Sequence, residues 1–284
     1  MNTTASVAVD ANPDSRNARL SRFFASSLRG IGNFFAGIAL LFFLWWLTIF
    51  IVTLSPENSH FEDFGIGVAF TILPELWGDG TIPDALTTSG YRLGMGMGIA
   101  ILLGVPIGIT MGRVATFKKL TNVPFQFLRM VSPLSWEPIA VIVFLEWDHA
   151  IIFLISIASV WPVVFSTSAG LEKVDPNWFK VARNLGASKL DMLTKIILPA
   201  IAFDMLTGVR LSLGVAWIVL IPAEFLGVTS GFGFAIQDAR ESMSYDTLMA
   251  MIMMIGAVGY VLDSICVIPN ISNTRFKNSV YFFI

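Results

Sequence analysis

Six stretches of the chain are each about as long as a bilayer is thick. A helix needs roughly 20 mostly apolar residues to cross the hydrocarbon core, and the stretches that meet this length are 34–54, 91–111, 125–145, 150–171, 201–221 and 248–269. Hydrophobic residues make up 55% of the chain and charged residues 13%, which is far to the apolar side of soluble domains. The sequence therefore predicts an all-α membrane protein with six transmembrane helices.

These limits divide the chain into three predicted parts: a tail at 1–33 that is disordered up to about Ser21, a six-helix domain at 34–269, and a C-terminal tail at 270–284. All but three of the 18 Lys and Arg residues lie in the two tails, in the 112–129 connection and in the loop 172–199. The positive-inside rule places these segments, and both termini, in the cytoplasm. The net charge of −2 gives no reason to expect a nucleic-acid partner.

The polar stretch 174–199 carries helix start and stop signals. Asp175 can cap a helix start, and Pro176 suits the first helical position because its missing N–H would be unpaired there. Gly186 supplies a left-handed stop. These signals predict a short helix over 177–185.

A second helix is predicted after that stop. Ser188 and Asp191 form the Ser-x-x-Asp pattern of a cap, and Pro199 is expected to limit the helix that they open. On the first helix, residues spaced i, i+3, i+4 and i+7 form one apolar stripe: Trp178, Val181, Ala182 and Leu185. Such a stripe can dock into a groove on another protein; the alternative is an amphipathic loop resting on the membrane surface.

The same loop resembles a family signature. Lys180-Val181-Ala182, three residues, Gly186, nine residues and then Ile196-Ile197-Leu198-Pro199 is similar to the loop motif of ABC importer permeases, although Lys180 and Val181 stand where the family has glutamate and alanine. In that family the loop is a coupling helix seated in a cleft of a separate ATPase subunit. The resemblance implies that the residues contacting the ATPase are Trp178, Val181, Ala182, Arg183, Leu185, Gly186, Ala187 and Ser188.

Five further motifs resemble the branch of these permeases that serves nitrate, bicarbonate, cyanate, sulfonates and taurine. They are Leu73-Pro74, Ser89-x-x-Arg92, the runs 129–138 and 208–217, and Ala223-Glu224 with the Ser-Gly-x-Gly at 230–233. The resemblance implies a type I importer in a bacterial or cyanobacterial inner membrane. Its expected partners are a second permease, as a homodimer or with a relative, two ATP-binding subunits and an extracytoplasmic solute-binding protein.

The chain is expected to be a permease subunit and not an enzyme. It contains no Gly-x4-Gly-Lys-Ser/Thr loop, so ATP and Mg²⁺ are expected in the partner subunits and no cofactor or metal in this chain. The resemblance favours a small oxyanion as the substrate, with nitrate, nitrite or bicarbonate first and sulfonate, taurine or cyanate as alternatives. From other classes, an ion-coupled secondary carrier and a non-transporting membrane scaffold remain candidates.

Two spans have unusual backbone. The second contains glycines at four-residue spacing, which let helix backbones approach closely, in two runs: Gly90, Gly94 and Gly98, then Gly104, Gly108 and Gly112. The third is expected to be interrupted at Pro124, Pro133 and Pro138. Irregular backbone at membrane depth survives only inside protein or beside water, so this span is predicted to line the transport path.

Charged residues inside spans are further candidates for function, since each costs roughly 2.5–3.5 kcal/mol at a helix centre. Arg92 either offers its guanidinium to an oxyanion or pairs with Glu137 or Glu224. Arg210 is expected to pair with Asp204 or to lie at the membrane interface. Glu224 begins an irregular stretch that is interpreted as an outer gate, a binding-protein contact or a structural hairpin. The candidates for the translocation path are Arg92, Trp136, Glu137 and Glu224.

Overall fold

The computed structural model describes the backbone of residues 13–55, 61–225 and 227–280, and the side chains from residue 32 to residue 266 within those ranges. The described chain is helical and contains no strand, which confirms the all-α class. In chain order the helices are α1 (Pro13–Thr53), α2 (Ile66–Gly78), α3 (Thr81–Arg113), α4 (Ala115–Met130), a 3-10 turn (Pro133–Trp136), α5 (Glu137–Val143), α6 (Trp147–Glu172), α7 (Pro176–Asn184), α8 (Lys189–Asp191), a π-helical segment (Met192–Ile197), α9 (Leu198–Ala223), α10 (Phe232–Glu241) and α11 (Tyr245–Val280).

The chain forms two units, residues 1–68 and 69–284. In the first unit, α1 carries a 22-residue apolar stretch, Gly32–Thr53, and Trp45 Nε1 donates a hydrogen bond to the carbonyl oxygen of Phe64 at 3.0 Å. The helix already begins at Pro13, where the sequence predicted disorder up to about Ser21. The rest of that prediction, residues 1–12, lies outside the described residues.

Five of the described helical stretches are long and apolar enough to cross a membrane: Gly32–Thr53, Thr81–Arg113, Trp147–Glu172, Lys189–Ala223 and Tyr245–Cys266. They account for five of the six predicted spans. The remaining span, 125–145, is divided between α4, the 3-10 turn and α5, as its prolines predicted. The break lies next to Pro133 and Pro138, whereas Pro124 lies inside α4 and does not interrupt it. A proline removes one backbone hydrogen bond, and that loss alone need not end a helix.

The second unit is built around α6, which packs between α3 and α9. Glycines on α3 let α6 come close: a Cβ added at Gly104 would lie 2.9 Å from Val163, and one added at Gly108 would lie 2.7 Å from Thr167. The prediction of close approach is therefore confirmed for the second glycine run. It is wrong for the first run within the described chain, because a Cβ at Gly90, Gly94 or Gly98 would meet no atom within 4 Å.

The loop and the fifth span share one continuous helix. The 35 residues Lys189–Ala223 run without a break through α8, the π-helical segment and α9. The expectation that Pro199 ends a second short helix is thus wrong, since Pro199 occupies the first turn of α9. Proline lacks the backbone N–H that a regular helical turn uses, and the wider π turn just before Pro199 tolerates that missing hydrogen bond. At the other end of the chain, α11 extends to Val280, so the predicted tail 270–284 is helical as far as residue 280.

Candidate functional site

The loop after α6 folds as its capping signals predict. The Asp175 carboxylate accepts the backbone N–H of Asn177 at 2.8 Å, and Pro176 opens α7. At the C-terminus Gly186 has a φ of +79°. Its N–H donates to Arg183 O, and the N–H of Ala187 donates to Ala182 O, both at 3.0 Å. This pair of bonds is a Schellman motif, which satisfies carbonyls at the helix end.

A capping box begins the next helix. The Ser188 hydroxyl accepts the backbone N–H of Asp191 at 3.1 Å, and the Asp191 carboxylate accepts the backbone N–H of Ser188 at 3.3 Å. Two backbone donors that a helix start would leave unpaired are therefore satisfied by side chains. The result is a short helix α7 held at a fixed bend to the 35-residue helix that follows.

The predicted apolar stripe on α7 divides into two faces. Trp178, Val181 and Leu185 are exposed, by 46%, 56% and 82%. Ala182, predicted to share their stripe, is buried in a cluster with Leu171, Met192, Ile197 and Ile201. The single-stripe prediction is therefore wrong for Ala182. Its small side chain lets α7 lie close to the bundle while three larger apolar residues point away.

Phe179, which no sequence motif indicated, helps to hold α7 in place. It packs against the same cluster, and the Arg113 guanidinium at the end of α3 lies 5.1 Å from the centre of its ring, within the range of a cation–π contact. Ion pairs tie the neighbouring segments together: Lys118 with Glu172 and Lys173 with Asp204, both at 2.6 Å. The exposed apolar face is thus presented on a supported helix.

The other predicted contact residues have distinct surroundings. Arg183 is exposed, Gly186 is exposed at the turn and Ala187 is partly buried against the cluster. Arg183, Ala187 and Ser188 line a cavity of about 430 Å³ whose wall also includes Arg113 and Lys189. We call the exposed residues Trp178, Val181 and Leu185 together with Arg183 and Gly186 the docking face. It is an apolar patch with basic residues beside it.

A second group of polar residues is buried between α3, α6 and the end of α9. Arg92 is 2% exposed. Its Nη1 donates to Glu224 Oε1 at 2.7 Å and to the Ser230 carbonyl oxygen at 2.8 Å. Its Nε and Nη2 donate to Asp148 Oδ1 at 2.9 and 2.7 Å. Of the two pairings predicted for Arg92, the one with Glu224 is confirmed, and Glu137 takes no part in the network.

Glu224 connects this ion network to the turn before α10. Its carboxylate accepts the Ser89 hydroxyl at 2.8 and 2.9 Å and the Gly233 N–H at 2.9 Å, while the Phe232 N–H donates to Ser89 Oγ at 2.9 Å. Gly231 has a φ of +111°, and a Cβ there would lie 2.6 Å from the Glu224 carboxyl carbon. The irregular stretch after Glu224 is therefore folded tightly against the buried ions.

The four path candidates do not come together. Arg92 and Glu224 lie in the buried network. Trp136 is partly buried against the main apolar core. Glu137, the first residue of α5, donates its backbone N–H to the Leu134 carbonyl oxygen, and its carboxylate has no hydrogen bond or ion pair with any residue that the structure describes. Asp148, which no sequence pattern indicated, is the second carboxylate on Arg92. It lies in the first turn of α6, where an acidic residue is ordinary, so its pattern gave no signal of a long-range partner.

Arg210 has a different partner from the one expected. Its Nε and Nη2 donate to Asp263 Oδ1 and Oδ2, both at 2.8 Å, in a two-point pair between α9 and α11. Asp204 pairs instead with Lys173. The predicted Arg210–Asp204 pair is therefore wrong, because the two residues lie on different sides of α9.

Comparison with known proteins gives consistent matches. A family model described as binding-protein-dependent transport system inner membrane component matches residues 100–269. The bicarbonate transport system permease protein CmpB of Synechococcus elongatus is 37% identical over 174 residues, which are 61% of this chain and 62% of the relative. The nitrate import permease protein NrtB of Leptolyngbya laminosa is 34% identical over 181 residues, 63% of this chain and 64% of the relative.

A longer match extends over most of both chains. The taurine transport system permease protein TauC of Escherichia coli is 32% identical over 227 residues, which are 80% of this chain and 82% of the relative. The matches to the bicarbonate and nitrate proteins cover somewhat less than two thirds of those relatives.

Proposed function

Because the chain belongs to the family of binding-protein-dependent transport system inner membrane components, we propose that it is the membrane-spanning permease subunit of an ATP-driven importer of small oxyanions. The observation that carries this proposal is the docking face. Its helix α7 is capped at both ends and anchored from within by Ala182 and Phe179, yet it exposes Trp178, Val181 and Leu185. Large exposed apolar residues on a rigid support are typical of a protein-binding site.

The partner on this face is an ATP-binding subunit, and each importer contains two of them with two permease chains. The side of the membrane that carries the loop is the cytoplasm, because the Lys and Arg residues of the chain concentrate there. ATP binding and hydrolysis in the partners move the docking face, and the packed helices transmit that movement as rigid bodies. A solute-binding protein delivers the substrate on the opposite side of the inner membrane.

The substrate class follows from what the similar proteins are named for. Bicarbonate, nitrate and taurine all carry an oxyanion group of small size, and the relatives named for bicarbonate and nitrate reach 37% and 34% identity. Nitrate, nitrite or bicarbonate is therefore the first choice for this chain. Taurine and other sulfonates are the second, since the longest of these matches is to a taurine permease protein.

A matched pair of substitutions on α7 tests the docking face. Leu185→Glu adds a charge to the exposed apolar patch, and Asn184→Glu adds the same charge at the adjacent exposed position. We expect Leu185→Glu to lower the amount of ATPase that co-purifies with the permease at least about tenfold. A hot-spot residue that becomes buried in the complex contributes about 2 kcal/mol or more to the interface. Asn184→Glu should leave the complex intact.

The proposal predicts three measurable properties of the purified complex: bound ATPase, ATP hydrolysis stimulated by the binding protein, and anion uptake into vesicles. Isolation of the chain as an active transporter without an ATPase would contradict it in favour of an ion-coupled carrier. ATPase binding without any anion flux would contradict it in favour of a scaffold.

A further inference from the structure

The Arg210–Asp263 pair lies at a depth where a membrane is apolar. Arg210 is 13 residues before Ala223, the end of α9, which places it about 20 Å along the helix from that end. The Lys173–Asp204 pair lies about 9 Å further towards the loop, since Asp204 is six residues before Arg210. We take the ends of the two helices, Ala223 and Tyr245, as the outer limit of a hydrocarbon core about 30 Å thick. Arg210 then lies about 20 Å below that limit and Asp263, 18 residues after Tyr245, about 27 Å below it. The pair is therefore in the inner third of the core, and Lys173 and Asp204 are at its inner edge.

At this depth the pair is nevertheless accessible on the surface of the second unit. The side chain of Arg210 is 39% exposed and that of Asp263 is 52% exposed. Ionised groups facing lipid are costly, and in membrane proteins they face the inside of a bundle or a water-filled cavity. The surface that carries Arg210 and Asp263 therefore faces water or protein and not lipid.

The geometry of the pair leaves part of the guanidinium unused. Asp263 occupies the edge formed by Nε and Nη2 with one oxygen on each nitrogen. Nη1 has no hydrogen-bond partner among the side chains and backbone that the structure describes, so the edge formed by Nη1 and Nη2 is open. Such an edge accepts a planar oxyanion at two points.

Arg92 offers no comparable edge. Both sides of its guanidinium are occupied, by Asp148 on one side and by Glu224 and the Ser230 carbonyl oxygen on the other, and its side chain is 2% exposed. Of the two arginines in the interior of the long apolar helices, Arg210 is thus the one that an anion can reach. A cation at membrane depth also lowers the electrostatic cost of bringing an anion there.

We propose that the Nη1/Nη2 edge of Arg210 is the point at which the transported oxyanion contacts the membrane-embedded path, with Asp263 holding the guanidinium in orientation. The inference rests on the proposed permease function and adds a substrate-contacting residue to it. The exposed surface of α9 and α11 around this pair would then form part of the wall of a water-filled passage.

The first test asks whether the face of α9 that carries Arg210 is in contact with water. Gly214 lies one turn from Arg210 on the same face of α9, is exposed and has no atom within 4 Å of a Cβ position. Val261 is exposed on α11, about 160° around the helix from Asp263. In a Cys266→Ser background, which removes the sole cysteine, Gly214→Cys should react with a membrane-impermeant charged thiol reagent in the assembled complex and Val261→Cys should not. Nitrate, against chloride at equal ionic strength, should slow the reaction at position 214.

An exchange of the two charges then separates anion contact from structural pairing. Arg210→Asp combined with Asp263→Arg keeps an ion pair between α9 and α11 but moves the guanidinium to the other helix. We expect this variant to fold and to bind the ATPase. Its rate of anion uptake per complex should be at least about tenfold lower than that of the unmodified complex. Arg210→Lys keeps the charge without the planar fork and should lose less.

Each result decides between the alternatives. Uptake by the charge-exchanged variant at the rate of the unmodified complex would overturn the contact, since a purely structural pair is restored by the exchange. Failure of Gly214→Cys to react would also overturn it, because the face would then be covered by a second copy or by lipid. Absence of any bound ATPase in the unmodified protein would instead refute the proposed permease function, which makes the two failures distinguishable.

Discussion

Removal of the Arg92 guanidinium should be the most destabilising single change in the buried network. Arg92→Met removes three contacts, to Glu224, Asp148 and the Ser230 carbonyl oxygen. Glu224 then remains as a buried charge that is held only by the Ser89 hydroxyl and the Gly233 N–H. Loss of one partner from a buried ion pair costs about 3–5 kcal/mol. For a chain of this size, that cost corresponds to a drop in melting temperature of about 6–20 °C.

Two further variants show whether the charge or the shape of Arg92 causes the loss of stability. Asp148→Asn removes the half-exposed partner, and pairs with an exposed member are worth about 0–1 kcal/mol. Arg92→Met combined with Glu224→Gln leaves no uncompensated charge at the Glu224 position, so its stability should recover by at least about 2 kcal/mol relative to Arg92→Met alone.

Thermal unfolding of the detergent-purified protein, followed by loss of the monodisperse peak on size exclusion, measures all three variants under the same conditions. Two results would contradict this expectation: equal drops in melting temperature for Arg92→Met and Asp148→Asn, or a double variant as unstable as Arg92→Met. Either result would mean that the buried charge of Glu224 does not dominate the energetics of this turn.

Two other predictions concern packing and capping. Gly108→Ala places a Cβ 2.7 Å from Thr167 and should destabilise the protein by about 1–3 kcal/mol, whereas Gly90→Ala meets no atom within 4 Å and should be neutral or stabilising by up to about 1 kcal/mol; equal melting temperatures would contradict the difference between the two glycine runs. Ser188→Ala removes the acceptor of the Asp191 N–H, so amide exchange at Asp191 should accelerate about fivefold, the factor expected for a lost cap of about 1 kcal/mol, and unchanged exchange would exclude the capping role.

Local signals predicted the helix ends in the loop 172–199 well. Asp175, Gly186 and Ser188 act through the backbone within a few residues of themselves, and such short-range rules can be read directly from a sequence. The orientation of Ala182 could not be read in this way. The spacing of apolar residues on α7 allows either of two faces to be buried, and the choice depends on Met192 and Ile197, which reach it from another element.

Long-range partners of the membrane charges were harder to predict. A charge inside a span indicates that a partner is needed, which identified Arg92 and Arg210 as significant, but it does not say which carboxylate supplies the pairing. Asp148 and Asp263 were selected by the packing of α6 and α11 in space. Pro199 was misleading because the wider turn at 192–197 tolerates the hydrogen bond that the proline cannot donate. The residues of this segment carry no pattern that would predict a π turn.

The 35-residue helix from Lys189 to Ala223 can tilt as one rigid rod. Its length is about 52 Å, so a tilt of about 5° about its midpoint swings each tip through an arc of about 2 Å. One tip adjoins the Ser188 bend and the other adjoins Glu224 with its folded turn. A displacement of atomic size imposed at the Lys189 tip therefore arrives at the Ala223 tip with equal amplitude and opposite sign, through one uninterrupted piece of backbone.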